Sequence, residues 1–468
     1  MSQISSNLPV AVIGAGPVGL AAAAHLLERG LQPLILEAGP TAAATVQSWG
    51  QVRLFSPWRY NIDAAARRLL TAAGWAAPDQ DELPTGQELA DRYLLPLSRL
   101  PRLAGALRTS TRVTAVTRLG LDKTRSAGRS DAPFLVRTEG PQGGLADYTV
   151  RAVIDASGTW QTPNPLGQAG LTAPGEQAAR DAGFITQPLP DVLGADSRLF
   201  AGKHVLVVGA GHSAANTVLA LHQLTVDAPG TRISWSVRGA APEALYGGGD
   251  LDGLPARGEL GTRLRGLVDA GALTLLTGFS ITGFTGFTAA SAPGGGTLTV
   301  QAETPAGPAA LDVDVVVPAT GFRPELGFLR ELRLDLDASV EAPSGLGPLI
   351  DPEFHSCGTV EPHGAKLLAH PEEDFYIAGM KSYGRAPTFL MATGYEQVRS
   401  IAAALAGDRA AADRVELELP ETGVCSVTPV ASGSAEAPEA SSCCSAPAEP
   451  QPLTLGIRTG LVHGRSGS

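Results

Sequence analysis

At 468 residues and 44% hydrophobic, the chain exceeds one ordinary domain and can fill a large core. A net charge of −11, with no clustered Lys and Arg face in the sequence, argues against nucleic acid as a partner. The apolar stretch 8–27 has no basic segment before it and contains a glycine turn. It therefore reads as neither a signal peptide nor a membrane span, and a cytoplasmic protein is expected.

The run Pro9 to Ile13 predicts a buried strand and Val18 to Leu27 a helix, with Gly14, Gly16 and Gly19 in the turn between them. Gly14 permits the tight turn, Gly16 lets backbone approach a pyrophosphate, and Gly19 lets the helix pack on the strand. The helix start adds free N–H groups and a positive dipole end. A second strand, Leu34 to Leu36, ends on Glu37, about 20 residues past the glycines, where a ribose-binding acid belongs. Strand Ala152 to Asp155 then leads into Ala156-Ser157-Gly158-Thr159-Trp160, whose small first residues let backbone lie against a cofactor.

Nearly two hundred residues on, roughly, the plan returns. Strand His204 to Val208 precedes Gly209, Gly211 and Ala214, a helix runs to about Leu224, and strand Ile233 to Val237 ends on Arg238. An arginine in the place of a ribose-binding acid suits the extra phosphate of NADP, which its planar fork can grip, so NADPH is expected over NADH. The alternative is a solvated strand-end charge. Strand Val313 to Val317 and the turn Ala319-Thr320-Gly321-Phe322 close this part. Strand Phe375 to Ala378, a loop from Gly379 to Pro387 and helix Thr388 to Ala406 follow.

The expected organisation is α/β with two Rossmann-like dinucleotide-binding domains. A first FAD part covers 1–165, a linker 166–199, an inserted NADPH domain 200–324, the returning FAD part 325–420, and a disordered Cys-containing tail 421–468.

Over roughly residues 5–410 the chain resembles the flavin-containing monooxygenases. The match rests on VIGAGPVG with Glu37, on VVGAGHSA with Arg238, and on ATGF at Ala319 to Phe322. The blocks RLFSPWRYNID (Arg53 to Asp63), YGGGDLDGLPARGELG (Tyr246 to Gly261), HSCGTVEPHG (His355 to Gly364) and MKSYGRAPTFLMATGYEQVRS (Met380 to Ser400) look like flavoprotein monooxygenases of arsenic-resistance operons. The resemblance implies FAD, NADPH and dioxygen, oxygen transfer to a small soft nucleophile such as an arsenical, and allows a homodimer. It departs in one place: the linker Gly183 to Lys203 lacks the histidine of that family's FxGxxxH fingerprint, which bears on oxygenation and not on cofactor binding.

With that pattern, the candidate cofactor-binding residues are Gly14, Gly16, Pro17, Gly19, Glu37, Ala38, Trp49, Val113, Ala156, Ser157, Gly158, Gly209, Gly211, Ser213, Ala214, Arg238, Ala319, Thr320, Gly321, Gly379 and Thr388. The candidate catalytic residues are Asn61, Lys381 and Arg385. An amide at Asn61 can donate to reactive oxygen without supplying a labile proton; alternatively Asn61 caps a helix over Asp63 to Leu70. Lys381 and Arg385 can stabilise an anionic reduced flavin, or else are surface charges.

Four cysteines, Cys357, Cys425, Cys443 and Cys444, include no CxxC or CxxxxC pair in either nucleotide domain, which argues against a disulfide reductase of the thioredoxin type. Cys425 and the adjacent Cys443 and Cys444 are candidate substrate thiols, since soft thiolates suit trivalent arsenic; the alternative is a neutral tail. His355-Ser356-Cys357 with His363 lacks a full ligand set, so a structured loop and no metal are expected.

Overall fold

The opening apolar run forms strand β1 (Val10–Ile13), with all four residues buried. This is seen in a computed structural model that describes residues 7–240, 246, 255–286, 296–353, 360–387 and 389–417. After β1 come helix α1 (Pro17–Glu28) and strand β2 (Pro33–Leu36). Helix α2 spans Ala64–Ala72, and strand β3 is the short Leu107–Arg108. Strands β4 (Arg112–Arg118), β5 (Phe134–Glu139) and β6 (Leu145–Val150) precede β7 (Ala152–Asp155).

Most of the second half of the chain builds another sheet. Helix α3 (Glu176–Asp181) leads to β8 (His204–Val208), α4 (His212–Asp227), β9 (Arg232–Ser236), α5 (Pro255–Asp269) and β10 (Thr274–Leu276). Strands β11 (Ser280–Thr285), β12 (Leu298–Thr304), β13 (Gly307–Val313) and β14 (Val315–Pro318) follow. The chain then returns to the first sheet with β15 (Phe375–Ile377) and the long helix α6 (Met391–Leu405).

Two parallel sheets result, in the orders β15-β7-β1-β2-β3 and β10-β9-β8-β14. Parallel sheets bury both faces, which is why β1, β2 and β14 read as unbroken apolar runs and β7 and β8 are apolar but for Asp155 at the end of one and His204 at the start of the other. Each parallel sheet carries a three-stranded antiparallel partner, β4-β5-β6 or β11-β12-β13. The fold is therefore a pair of Rossmann-like units.

Helix α1 is almost wholly buried, and so is α6 beside it. Their close approach needs small residues: a Cβ on Gly394 would sit 2.7 Å from Val18 Cγ2.

The segment 166–199 is more than a linker. Leu166, Ala173, Ala179, Phe184 and Ile185 share a buried cluster with Leu206, Val208, Phe279 and Val300 of the second unit. Buried Glu176 ties the segment down by accepting from the N–H groups of Leu166 (3.1 Å) and Ala173 (3.0 Å). The chain crosses between the sheets twice, and the two crossings bond to each other. Asn164 Nδ2 donates to Thr320 O (3.1 Å), Thr320 Oγ1 donates to Asn164 O (2.7 Å), and the Asn164 N–H donates to Gly321 O (2.9 Å). Trp160 and Phe322 pack with ring centroids 4.9 Å apart.

A buried ion cluster fastens the first antiparallel sheet to the turn before β15. Glu372 accepts from Arg118 Nε (2.7 Å), Arg129 Nη2 (2.7 Å) and the Arg333 N–H (3.0 Å). Burial pushes its carboxyl up, but the guanidinium groups of Arg129 and Arg118 outweigh this and hold it below the ordinary range. Among the described residues no helix is long and apolar enough to cross a membrane.

Candidate nucleotide-binding sites

The first glycine turn is shaped by what surrounds it. Gly14 has φ +96°, and a Cβ there would lie 2.8 Å from Ala156 O, so the turn and the small run after β7 are pressed together. A methyl on Gly19 would collide with the Gly14 carbonyl oxygen. Gly16, the N-cap of α1 with Pro17 at the first helical position, has an ordinary extended backbone and open space where its Cβ would point. Two glycines are closed by the protein and the third faces outward, the pattern a pyrophosphate site requires.

Glu37 stands at the rim of this turn. Its carboxylate accepts from the N–H groups of Ala15 (2.6 Å) and Gly39 (2.7 Å), and its carbonyl accepts from the Thr111 N–H (2.8 Å). Ala38 is exposed, Trp49 is half-buried against Gly86, and Val113 lies buried in β4 with Val116 and Phe134.

Behind Ala156 and Gly158 lies a buried pair. Lys381 Nζ is 2.6 Å from Asp155 Oδ2 and donates to Ser157 Oγ (3.1 Å); Asp155 Oδ1 also accepts from that hydroxyl (2.6 Å). Both charged side chains are fully buried, and the ammonium lies 4.4 Å from the Phe328 ring centroid. The surface-charge reading of Lys381 is therefore corrected, because its ammonium is held by a carboxylate within the first unit. Arg385 is exposed, with its backbone N–H on Val340 O (2.6 Å).

Asn61 is buried and fully bonded. Its Nδ2 donates to Ser56 O (2.6 Å) and Pro57 O (3.1 Å), and its Oδ1 accepts from Ser56 Oγ (2.9 Å). The helix-cap reading of Asn61 is also corrected. Asp63 caps α2, accepting from the Ala66 N–H (2.8 Å) and pairing with His25 Nε2 (2.9 Å). With two cap-forming residues two positions apart, sequence could not choose between them. The structure shows what Asn61 does hold: the loop 56–57.

The second turn repeats the first. Gly209 has φ +137°, and a Cβ there would collide with the Ala319 carbonyl oxygen; Gly211, the N-cap of α4, is open where its Cβ would point. Ala214 is buried in the third position, and Ser213 sits in the first helical turn, its carbonyl bonded to Thr217 Oγ1 (2.9 Å). Trp235 Nε1 donates to Gly209 O (2.7 Å) and steadies the turn, a contact without a sequence signal. Arg238 is exposed just past β9. Thr320 and Gly321 lie in the second crossing. Phe55 packs on His212 at the head of α4, centroids 5.2 Å apart, so a loop of the first unit reaches the second turn.

Thr388, Cys357, Cys425, Cys443 and Cys444 lie outside the described residues, as do His355 and Ser356. Among the described residues no group of three or more His, Cys, Asp or Glu could hold a metal ion.

The comparisons agree with the first turn. Residues 9–94 match the FAD dependent oxidoreductase family. No curated protein matches by sequence. Solved structures share the fold at low identity. The bacillithiol disulfide reductase Bdr of Bacillus cereus has 19% identity and a TM-score of 0.62, covering 86% of this chain and 99% of its own. The FAD-bound cadaverine monooxygenase DfoA of Erwinia amylovora has 15% identity and a TM-score of 0.58, covering 91% and 99%. The ornithine N-hydroxylase KtzI of Kutzneria has 17% identity and a TM-score of 0.54, covering 86% and 100%. At these identities the likeness is one of fold, found in reductases and monooxygenases alike.

Proposed function

We propose that the protein is an NADPH-dependent FAD monooxygenase that transfers oxygen to a small soft nucleophile, an arsenical by its narrower sequence resemblance. The observation that carries this reading is the pair of glycine turns, each closed by its own fold at two glycine or alanine positions and open at the remaining one, on two parallel sheets joined by paired crossings. Two such sites on one chain suit a flavin and the nicotinamide that reduces it.

The first cradle fits FAD. Gly16 and the start of α1 would take the pyrophosphate, Glu37 the adenosine ribose, and the small residues Ala156 and Gly158 would leave room for the rest of the molecule. When bound, FAD supplies hydride acceptance from NADPH and the activation of dioxygen. The chain's own work is to bind, orient and shield. Asn61 fixes the loop that brings Phe55 to His212, and Lys381 fixes the backbone after β7 through Asp155 and Ser157. Gly211 and the α4 N-terminus would take the pyrophosphate of NADPH, and exposed Arg238 its 2′-phosphate.

Reduction by NADPH under anaerobic conditions, followed by admission of dioxygen with and without an arsenical, tests the reading. Oxygenated product in proportion to NADPH consumed is expected. Release of all the oxygen as peroxide, whatever the substrate, would move the assignment to an NADPH oxidase or reductase, with Cys425, Cys443 and Cys444 as the thiols to examine. Arg238→Ala is expected to raise the KM for NADPH by roughly tenfold, the worth of about 1.4 kcal/mol, and to leave the KM for NADH unchanged. Equal effects on both nucleotides would make Arg238 a solvated charge.

A further inference from the structure

We infer that Gln397 and His363 are positioning residues for the flavin cradle, and that the cradle is held in its binding shape only while His363 is neutral. This rests on the flavin reading of the first site. The turn Gly379–Tyr383 lies against the head of α1: Gly379 has φ +71°, and a Cβ on it would sit 3.2 Å from Val18 Cγ2. The same turn delivers Lys381 to Asp155 and Ser157. Both arms of the cradle, the α1 head and the run after β7, thus lean on five residues.

Those five residues are set from within by Gln397 of α6, which has no exposed surface. Its Oε1 accepts from the Gly379 N–H (2.8 Å), and its Nε2 lies 2.9 Å from both Ser382 Oγ and His363 Nε2. Ser382 Oγ donates to Gly379 O (2.7 Å), and His363 Nδ1 is 3.0 Å from Glu361 O.

The proton positions follow by elimination. A backbone N–H can only donate, so the atom facing Gly379 is the amide oxygen, and the other end is the NH2 with two protons to give. The hydroxyl proton of Ser382 goes to the Gly379 carbonyl, which leaves its oxygen free to accept from Gln397. His363 Nε2 faces the second amide proton and must present a lone pair, while Nδ1 faces a carbonyl and must carry the proton. The network has one consistent state, with His363 as the neutral Nδ1–H tautomer.

Protonating His363 at Nε2 sets two donors against each other. Turning the amide over relieves that clash and creates another, NH2 against the Gly379 N–H. In the first case the amide of Gln397 is pushed off the turn it supports, and in the second the buried Gly379 N–H loses its acceptor. The surroundings favour the neutral ring: burial lowers its pKa, opposed more weakly by the Glu361 carbonyl and by Glu396 on α6. Glu396 is itself engaged by Arg399 (2.8 Å), and the neighbouring Tyr383, with its ring centroid 5.8 Å away, is pushed up by burial and stays neutral. Because the folded-state pKa is depressed, the contribution of His363 is present above the ordinary histidine value of about 6.5 and is lost as pH falls below it.

The test is the FAD dissociation constant, read by flavin fluorescence from pH 8 to pH 5, for the full chain and three variants. The unaltered protein is expected to lose about tenfold in affinity at the acid end. His363→Gln, whose amide oxygen accepts from Gln397 at every pH, keeps the affinity and loses the slope. Gln397→Leu binds weakly throughout with a flattened profile, and Gln397→Glu, which invites a protonated His363 as its partner, restores affinity at low pH. An unchanged slope in His363→Gln, or unchanged affinity in Gln397→Leu, overturns the inference. A folded, unaltered protein that takes up no FAD at any pH overturns the flavin reading instead. Long-range proton–nitrogen spectra of the imidazoles give an independent check that needs no cofactor: an Nε2–H tautomer for His363 at pH 8 also overturns it.

Discussion

Gly16→Val is expected to give a protein that folds and purifies without flavin. The backbone at Gly16 is extended, with φ −78° and ψ −171°, so a side chain meets no conformational penalty there, and its Cβ would point into open space. The cost to the fold is confined to a poorer N-cap, about 1 kcal/mol. The same space is where the pyrophosphate would lie, so FAD affinity should fall at least about a hundredfold, or ~2.7 kcal/mol. Flavin content after refolding with excess FAD, beside a thermal melt of the apoprotein, reads both quantities. Gly19→Ala supplies the contrast, because its methyl meets the Gly14 carbonyl and the fold itself should suffer. Gly211→Val should copy the Gly16 result at the second site, losing NADP binding with flavin retained. Full flavin content in Gly16→Val would show that the cofactor does not enter through the first turn.

The second large effect belongs to a residue outside both cradles. Glu372→Ala leaves Arg118 and Arg129 buried without their carboxylate, and breaking such a cluster from one side costs about 3–5 kcal/mol. Against a typical stability of about 5–15 kcal/mol this is a large fraction, and Tm should fall by roughly 5 °C. Acid should reproduce part of the loss. The carboxyl is held below its ordinary value, near 4.3, so its contribution is complete above that value and fades as pH drops through the lowered one. A melt of Glu372→Ala within about 2 °C of the parent would show that the guanidinium groups find other partners, since Arg118 also reaches Ala132 O and Arg129 reaches Asp122 O.

What the sequence disclosed follows from how much each element depends on its neighbours. The parallel strands β1, β7 and β8 and the helices behind the glycines were legible, because a strand buried on both faces writes an apolar run and a pyrophosphate turn admits few residues. The antiparallel sheets passed unread, although β5 and β12 alternate buried and more exposed residues with a period of two. Bulges between Val113 and Ala115 and between Ile281 and Gly283 break that rhythm in β4 and β11. The partnership of Lys381 with Asp155 spans 226 positions and left no local trace. The network of Gln397, Ser382 and His363 was equally hidden, since a buried amide in a helix looks like any polar surface position until its partners are known.

The place of β7 between β1 and β15 bears on the order in which the molecule comes into being. Its two neighbours, β1 and β15, lie on opposite sides in the sheet, yet β1 is made early and β15 only after the whole second unit. At about 5–20 residues per second on a ribosome, β7 waits roughly 10–45 s for its last partner. Throughout that interval one edge of the first sheet stays unpaired, and the faces that α6 will cover stay bare. The second unit meanwhile has every strand it needs by Pro318 and can close on its own. The turn at Gly379 and its buried support at Gln397 are made near the end of the described chain, so a chain cut short before α6 would be left with an exposed sheet face.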